Sequence, residues 1–191
     1  FPQFADYYFH RLQEAVIPNH IRLLNFFRDN GLRVVYITVG PTMPDNSDLS
    51  PFLRAEKRGP DGRTHYKSWF PPAGSFEHQI LEEIKPRPGE LVVNKTTAGA
   101  FNSSPIDTAL RNMGIDGLVI TGVATHACVE TTARDAADRG YKCVLVEDAV
   151  ADFVPRLHQA TLEVFSLMFG PVMTAEEVMA SLGRSLRAAR P

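Results

Sequence analysis

Leu118-Val119-Ile120-Thr121-Gly122-Val123-Ala124-Thr125-His126-Ala127-Cys128-Val129-Glu130-Thr131-Thr132-Ala133 is the stretch that decides the fold. Its opening residues are apolar and β-branched, the pattern of a strand with no wet face. Gly122 makes the turn, and Thr125 carries a hydroxyl where a helix cap is needed. A strand that passes this directly into a helix predicts alternating α/β structure.

Working outward, four more apolar runs occur: Arg33 to Val39, Leu91 to Asn94, Lys142 to Asp148 and, more weakly, Val172 to Thr174. Helical stretches separate them. Ile17 to Asn30 carries Ile21, Leu24 and Phe27 on one face, with Pro18 in its first turn and Gly31 as its stop. Ile106, Ala109, Leu110 and Met113 share a helix face that ends at Gly114. His126 to Arg139 stops at Gly140, Leu157 to Phe169 stops at Gly170, and Thr174-Ala175-Glu176-Glu177 is a capping box. The expectation is a single domain over residues 1–191: a three-layer α/β/α fold with a central, mostly parallel sheet and sites at the carboxyl ends of its strands. The proline-rich segment 40–73 is long for a connection and reads as a lid or binding loop, or else as a disordered excursion.

The chain has 191 residues, with 20 Lys+Arg against 22 Asp+Glu and a net charge of -2. No basic excess is available to neutralise phosphates, which argues against nucleic acid. No apolar run approaches the ~20 residues that cross a bilayer. The opening Phe1-Pro2-Gln3-Phe4 lacks the basic start of a signal peptide, so a cytoplasmic protein is expected, with no membrane partner. Two cysteines, Cys128 and Cys143, are too few for a disulfide framework and lack zinc-site spacing.

Cys128 falls in the first turn of the helix after Gly122, where free N–H groups and the helix dipole stabilise a thiolate. It reads either as a nucleophile or as a small core residue. Cys143, inside an apolar strand, reads as packing. His126 is two residues from Cys128, about 200° around a helix, so the pair is not expected to meet; His126 reads as a pocket-rim or solvated side chain. Lys95 ends the Leu91 to Asn94 run, either as an ordinary exposed lysine or as a cation that favours a thiolate.

Thr121 to Val129, with Lys95-Thr96-Thr97-Ala98-Gly99-Ala100-Phe101 and Val146-Glu147-Asp148-Ala149-Val150-Ala151, resembles the isochorismatase-like cysteine hydrolase superfamily from about Val34 onward. The resemblance implies an Asp–Lys–Cys set that hydrolyses a C–N bond of small amides, imides or ureido compounds through a cysteine thioester. Cys128 would be the nucleophile and Lys95 the lysine. It further implies a cis peptide at Val123–Ala124 and an oxyanion hole formed by the Ala124 and Cys128 N–H groups. Homodimers or homotetramers are implied as well.

Two departures stand out. The family aspartate ends a first apolar strand, and no such strand opens this chain; Asp6 has none before it, so the aspartate is expected upstream of Phe1. The lysine motif commonly ends Ser-Ala-Phe in relatives and here reads Gly99-Ala100-Phe101. Asp48 and the distant His65 do not supply the Asp-x-His ligand set of metal-dependent relatives, so a metal-free site without cofactor is expected. Trp69, Phe101 and His126 are candidate substrate contacts. Alternative readings are a vinyl-ether hydrolase of the isochorismate type and a catalytically silent paralogue that binds or assembles.

Overall fold

Apolar runs and helical stretches alternate in the computed structural model as their periodicity predicts; it describes residues 5–188. In chain order the elements are α1 (Ala5–Arg11), α2 (Ile17–Asp29), β1 (Val35–Val39), β2 (Arg54–Arg58), β3 (Thr64–Ser68), β4 (Leu91–Lys95), α3 (Ile106–Asn112), β5 (Gly117–Val123), α4 (Glu130–Asp138), β6 (Lys142–Ala151), α5 (Pro155–Met168), β7 (Val172–Met173) and α6 (Ala175–Ala188). Two compact units result, one from Val35–Met113 and one from the segments before Val35 and after Met113.

In the second of these units β5, β6 and β7 form a parallel sheet in that order. Leu145, Val146, Ala149, Val150 and Ala151 on β6 are wholly buried, as a strand covered on both faces requires. Leu23 of α2 and Val178 of α6 pack with Val146, Ala149 and Ala175 in one apolar cluster. Gly170 lets the chain pass from α5 to β7, because a Cβ there would lie 2.2 Å from the Cys143 carbonyl oxygen. The capping box forms: Thr174 Oγ1 accepts the Glu177 N–H at 3.2 Å, and the Glu177 carboxylate accepts the Thr174 N–H at 2.8 Å.

The first helix differs from expectation. The chain is helical from Ala5, and α1 runs into α2 through a π-helical turn, Leu12–Val16, closed by the Ile17 N–H on the Leu12 carbonyl. Pro18 therefore sits inside a long helical run. Its ring excludes the carbonyl four residues back, that of Glu14, and the wide turn is how the helix accommodates it. Asp6 lies within α1.

In the unit Val35–Met113, β1 and β4 pair in parallel with Val35 opposite Leu91 and Val39 opposite Lys95. Segment 40–73 is less irregular than its prolines predict. It contains the antiparallel hairpin β2–β3, with the Arg54 guanidinium 3.9 Å over the Tyr66 ring. Its ends are tied by the Ala73 N–H on the Pro41 carbonyl at 2.8 Å.

Candidate active site

Cys128 and His126 lie in a π-helical turn, Thr125–Val129, between β5 and α4. Gly122 starts this geometry at φ +119, a conformation open to glycine and strained for other residues. The Val123–Ala124 peptide bond is cis. Ala124 is the extended residue that caps the turn, and its carbonyl accepts the Ala127 and Val129 N–H groups, each at 3.2 Å. Cys128 is half-buried, whereas Cys143 is in the core, where burial pushes its thiol up to about 11. A thiol that must ionise and meet a substrate needs the first environment.

Thr125 does not cap the helix as expected. It is wholly buried, and its Oγ1 meets His158 Nδ1 of α5 at 2.9 Å. The Arg11 guanidinium reaches His158 Nε2 at 3.1 Å, so that nitrogen accepts and Nδ1 carries the proton given to Thr125. Burial, then the Arg11 charge, lowers the His158 pKa to about 4, so the ring stays neutral. Arg11 Nε also donates to the Val150 carbonyl at 3.0 Å, which fastens α1 to β6.

His126 is held rather than simply solvated. Strand pairing jumps from Ile120 opposite Leu145 to Gly122 opposite Val150, and Val123 then faces Ala151. The next residues, Ala124 and Asp152, leave the sheet side by side. Asp152, wholly buried, accepts the His126 backbone N–H at 2.8 Å on Oδ2 and pairs through the same oxygen with His126 Nδ1. Sequence reasoning missed Asp152 and His158. The polar residue closing an apolar run at Asp152 was visible, but its partner 26 positions away was not.

Lys95 closes β4 with 3 % exposure, against the alternative of an ordinary surface lysine. Its ammonium donates to the Thr97 carbonyl at 2.7 Å. Thr97 Oγ1 and Ser103 Oγ are 2.8 Å apart, and Ser103 Oγ accepts the Thr96 N–H at 3.0 Å, which shapes the loop after the lysine. Phe101 is buried in the following 3₁₀ turn. Trp69 is 64 % exposed just past β3. Among the described residues no group of three or more His, Cys, Asp or Glu is placed to hold a metal ion. A groove of about 640 Å³ is lined by Tyr7, Arg11, Glu147, Arg156 and His158 among others, but not by Cys128.

The Isochorismatase domain model matches residues 8–177. The chain belongs to the isochorismatase family. Ureidoacrylate amidohydrolase RutB of Methylobacterium radiotolerans is 32 % identical over 160 residues, 83 % of this chain and 60 % of that protein. RutB of Variovorax paradoxus is also 32 % identical over 160 residues, 83 % of this chain and 62 % of that one. The chain thus spans about 60 % of the length of these relatives. A solved isochorismatase family protein from Burkholderia thailandensis superposes with a TM-score of 0.74 at 29 % identity, over 88 % of this chain and 83 % of that one. N-carbamoylsarcosine amidase from Thermoplasma acidophilum gives 0.65 at 28 % identity, over 83 % and 82 %. These likenesses bear out the α/β fold class read from the sequence. No helix among the described residues is long and apolar enough to cross a membrane.

Proposed function

We propose that this isochorismatase-family chain hydrolyses a C–N bond of a small amide or ureido compound, with Cys128 as nucleophile. The observation that carries this reading is the half-buried thiol in the turn that follows β5, in contrast to Cys143, a core cysteine that burial keeps protonated. The kinship with ureidoacrylate amidohydrolases and N-carbamoylsarcosine amidase supports the bond type.

In this reading Cys128 Sγ attacks the carbonyl carbon, and the oxyanion is held by the Ala124 and Cys128 N–H groups, a contribution of about 3 kcal/mol for one such donor. The C–N bond breaks, and the thiol proton leaves with the amine or ammonia. Water then cleaves the thioester and returns the thiol. Lys95 is the lysine of the family's set, and the aspartate that relays the proton has no counterpart in residues 1–191. Phe101, Trp69 and His126 are the proposed substrate contacts, segment 40–73 the binding loop, and a homodimer or homotetramer in the cytoplasm the assembly.

The test is release of ammonia or amine from a panel of small amides and ureides, by the wild-type protein and by Cys128→Ala. Turnover by the wild type and none by the variant supports the reading. Equal turnover by the two ends it.

A further inference from the structure

We propose that Asp152 is a positioning residue for Cys128, acting by holding both the backbone and the ring of His126. The proposal rests on the reading of Cys128 as nucleophile and extends it to a residue outside the Asp–Lys–Cys set. Asp152 is wholly buried. A carboxylate is retained in such a place only where donors surround it. Oδ1 accepts the Val154 N–H at 3.2 Å, a local bond at the start of α5. Oδ2 is committed to His126, taking its backbone N–H at 2.8 Å and pairing with its Nδ1. A purely local role at α5 would use one oxygen and leave the other to solvent or to nothing.

His126 and Cys128 lie two residues apart in one helical turn, and so on opposite sides of it. Fixing the His126 ring against Asp152 therefore fixes the rotation of the turn and with it the direction of the Cys128 side chain. A second bond from the same connection, His158 Nδ1 to the Thr125 hydroxyl at 2.9 Å, pins the preceding residue. Two successive residues of the turn are thus gripped by side chains from the β6–α5 connection and α5, and the half-buried thiol lies two positions on.

The experiment compares the full chain with Asp152→Ala, Asp152→Asn, His126→Ala and the double variant Asp152→Ala/His126→Ala. Hydrogen exchange is read at residues 125–129 and at α6, and kcat and KM are read on a substrate that releases ammonia. In Asp152→Ala, exchange in the turn should speed at least ~10-fold with α6 unchanged. The kcat should fall on the order of 100-fold, with a much smaller change in KM from the freed His126 ring, the signature of a displaced reacting atom. Asp152→Asn, which keeps one acceptor, should fall between, and the double variant should be no worse than its more damaging parent. If Asp152→Ala does not fold, Asp152→Asn and His126→Ala carry the same measurements. Unchanged exchange in the turn, or losses that multiply in the double variant, overturns the proposal. Should the wild type and Cys128→Ala both release nothing, it is the functional reading that fails, and the exchange arm alone decides whether Asp152 holds the turn.

Discussion

Asp152 Oδ2 meets His126 twice, at the backbone N–H 2.8 Å away and at the ring Nδ1, across 26 positions of sequence. The strand register makes this possible, because Val123 opposite Ala151 brings the next residues of both strands out of the sheet together. The turn that bears Cys128 is consequently built on one end of the most deeply buried strand. A rigid strand end is where a reacting group can be held in a defined position.

Lys95 offers a separation of fold from activity. Lys95→Met keeps the length and apolar stem of a side chain that is 3 % exposed, and removes the donor to the Thr97 carbonyl. The stability cost should be about 1 kcal/mol, that of one hydrogen bond to a partly buried acceptor. Turnover should drop below detection. Urea denaturation read alongside ammonia release checks both; a variant that keeps full activity removes Lys95 from the proposed set.

Stability should depend on pH through two histidines. Burial holds His20 and His158 at about 4, well below the ordinary ~6.5. Between those values the unfolded chain takes up protons that the folded chain refuses. Stability is therefore full above pH ~6.5 and is lost as pH falls towards 4, by at most about 1.4 kcal/mol per pH unit for each ring. Urea midpoints at pH 7.5, 6 and 5 should decline in that order, and His158→Asn should flatten the slope. Arg11→Met should raise the His158 pKa in an NMR titration, since it removes a neighbouring positive charge.

Two glycines should respond to alanine for different reasons. Gly122→Ala meets no neighbour closer than 3.9 Å but must hold φ +119, a backbone cost of about 1–3 kcal/mol. Gly170→Ala drives a methyl to 2.2 Å from the Cys143 carbonyl oxygen, so the α5–β7 connection must shift, at a cost of about 2 kcal/mol or more. Urea denaturation measures both. Because Gly122 precedes the Cys128 turn, only Gly122→Ala should also reduce turnover.

The strands were legible from their apolar runs, although only Lys142 to Ala151 buries most of its side chains, while Leu91 to Lys95 is partly buried and Gly117 to Val123 half-buried. The hairpin was not, since Arg54–Arg58 and Thr64–Ser68 lie largely exposed and carry no apolar alternation. Helix α1 was hidden for a related reason: none of its residues is fully buried, and Pro18 imitates a helix start. At the site, Gly122 and the position of Cys128 showed in local sequence. The grips of Asp152 on His126 and of His158 on Thr125 arise only when distant segments meet, and no local pattern encodes them.

Trapping the acyl enzyme decides whether Cys128 is the nucleophile. The protein is mixed with a ureide or amide that it turns over, quenched in acid within the first turnover, and its intact mass and peptide map are recorded. An added mass equal to the acyl fragment, located on Cys128 and absent from Cys143, is the predicted result. Steady turnover with Cys128 unmodified and still dispensable would contradict it.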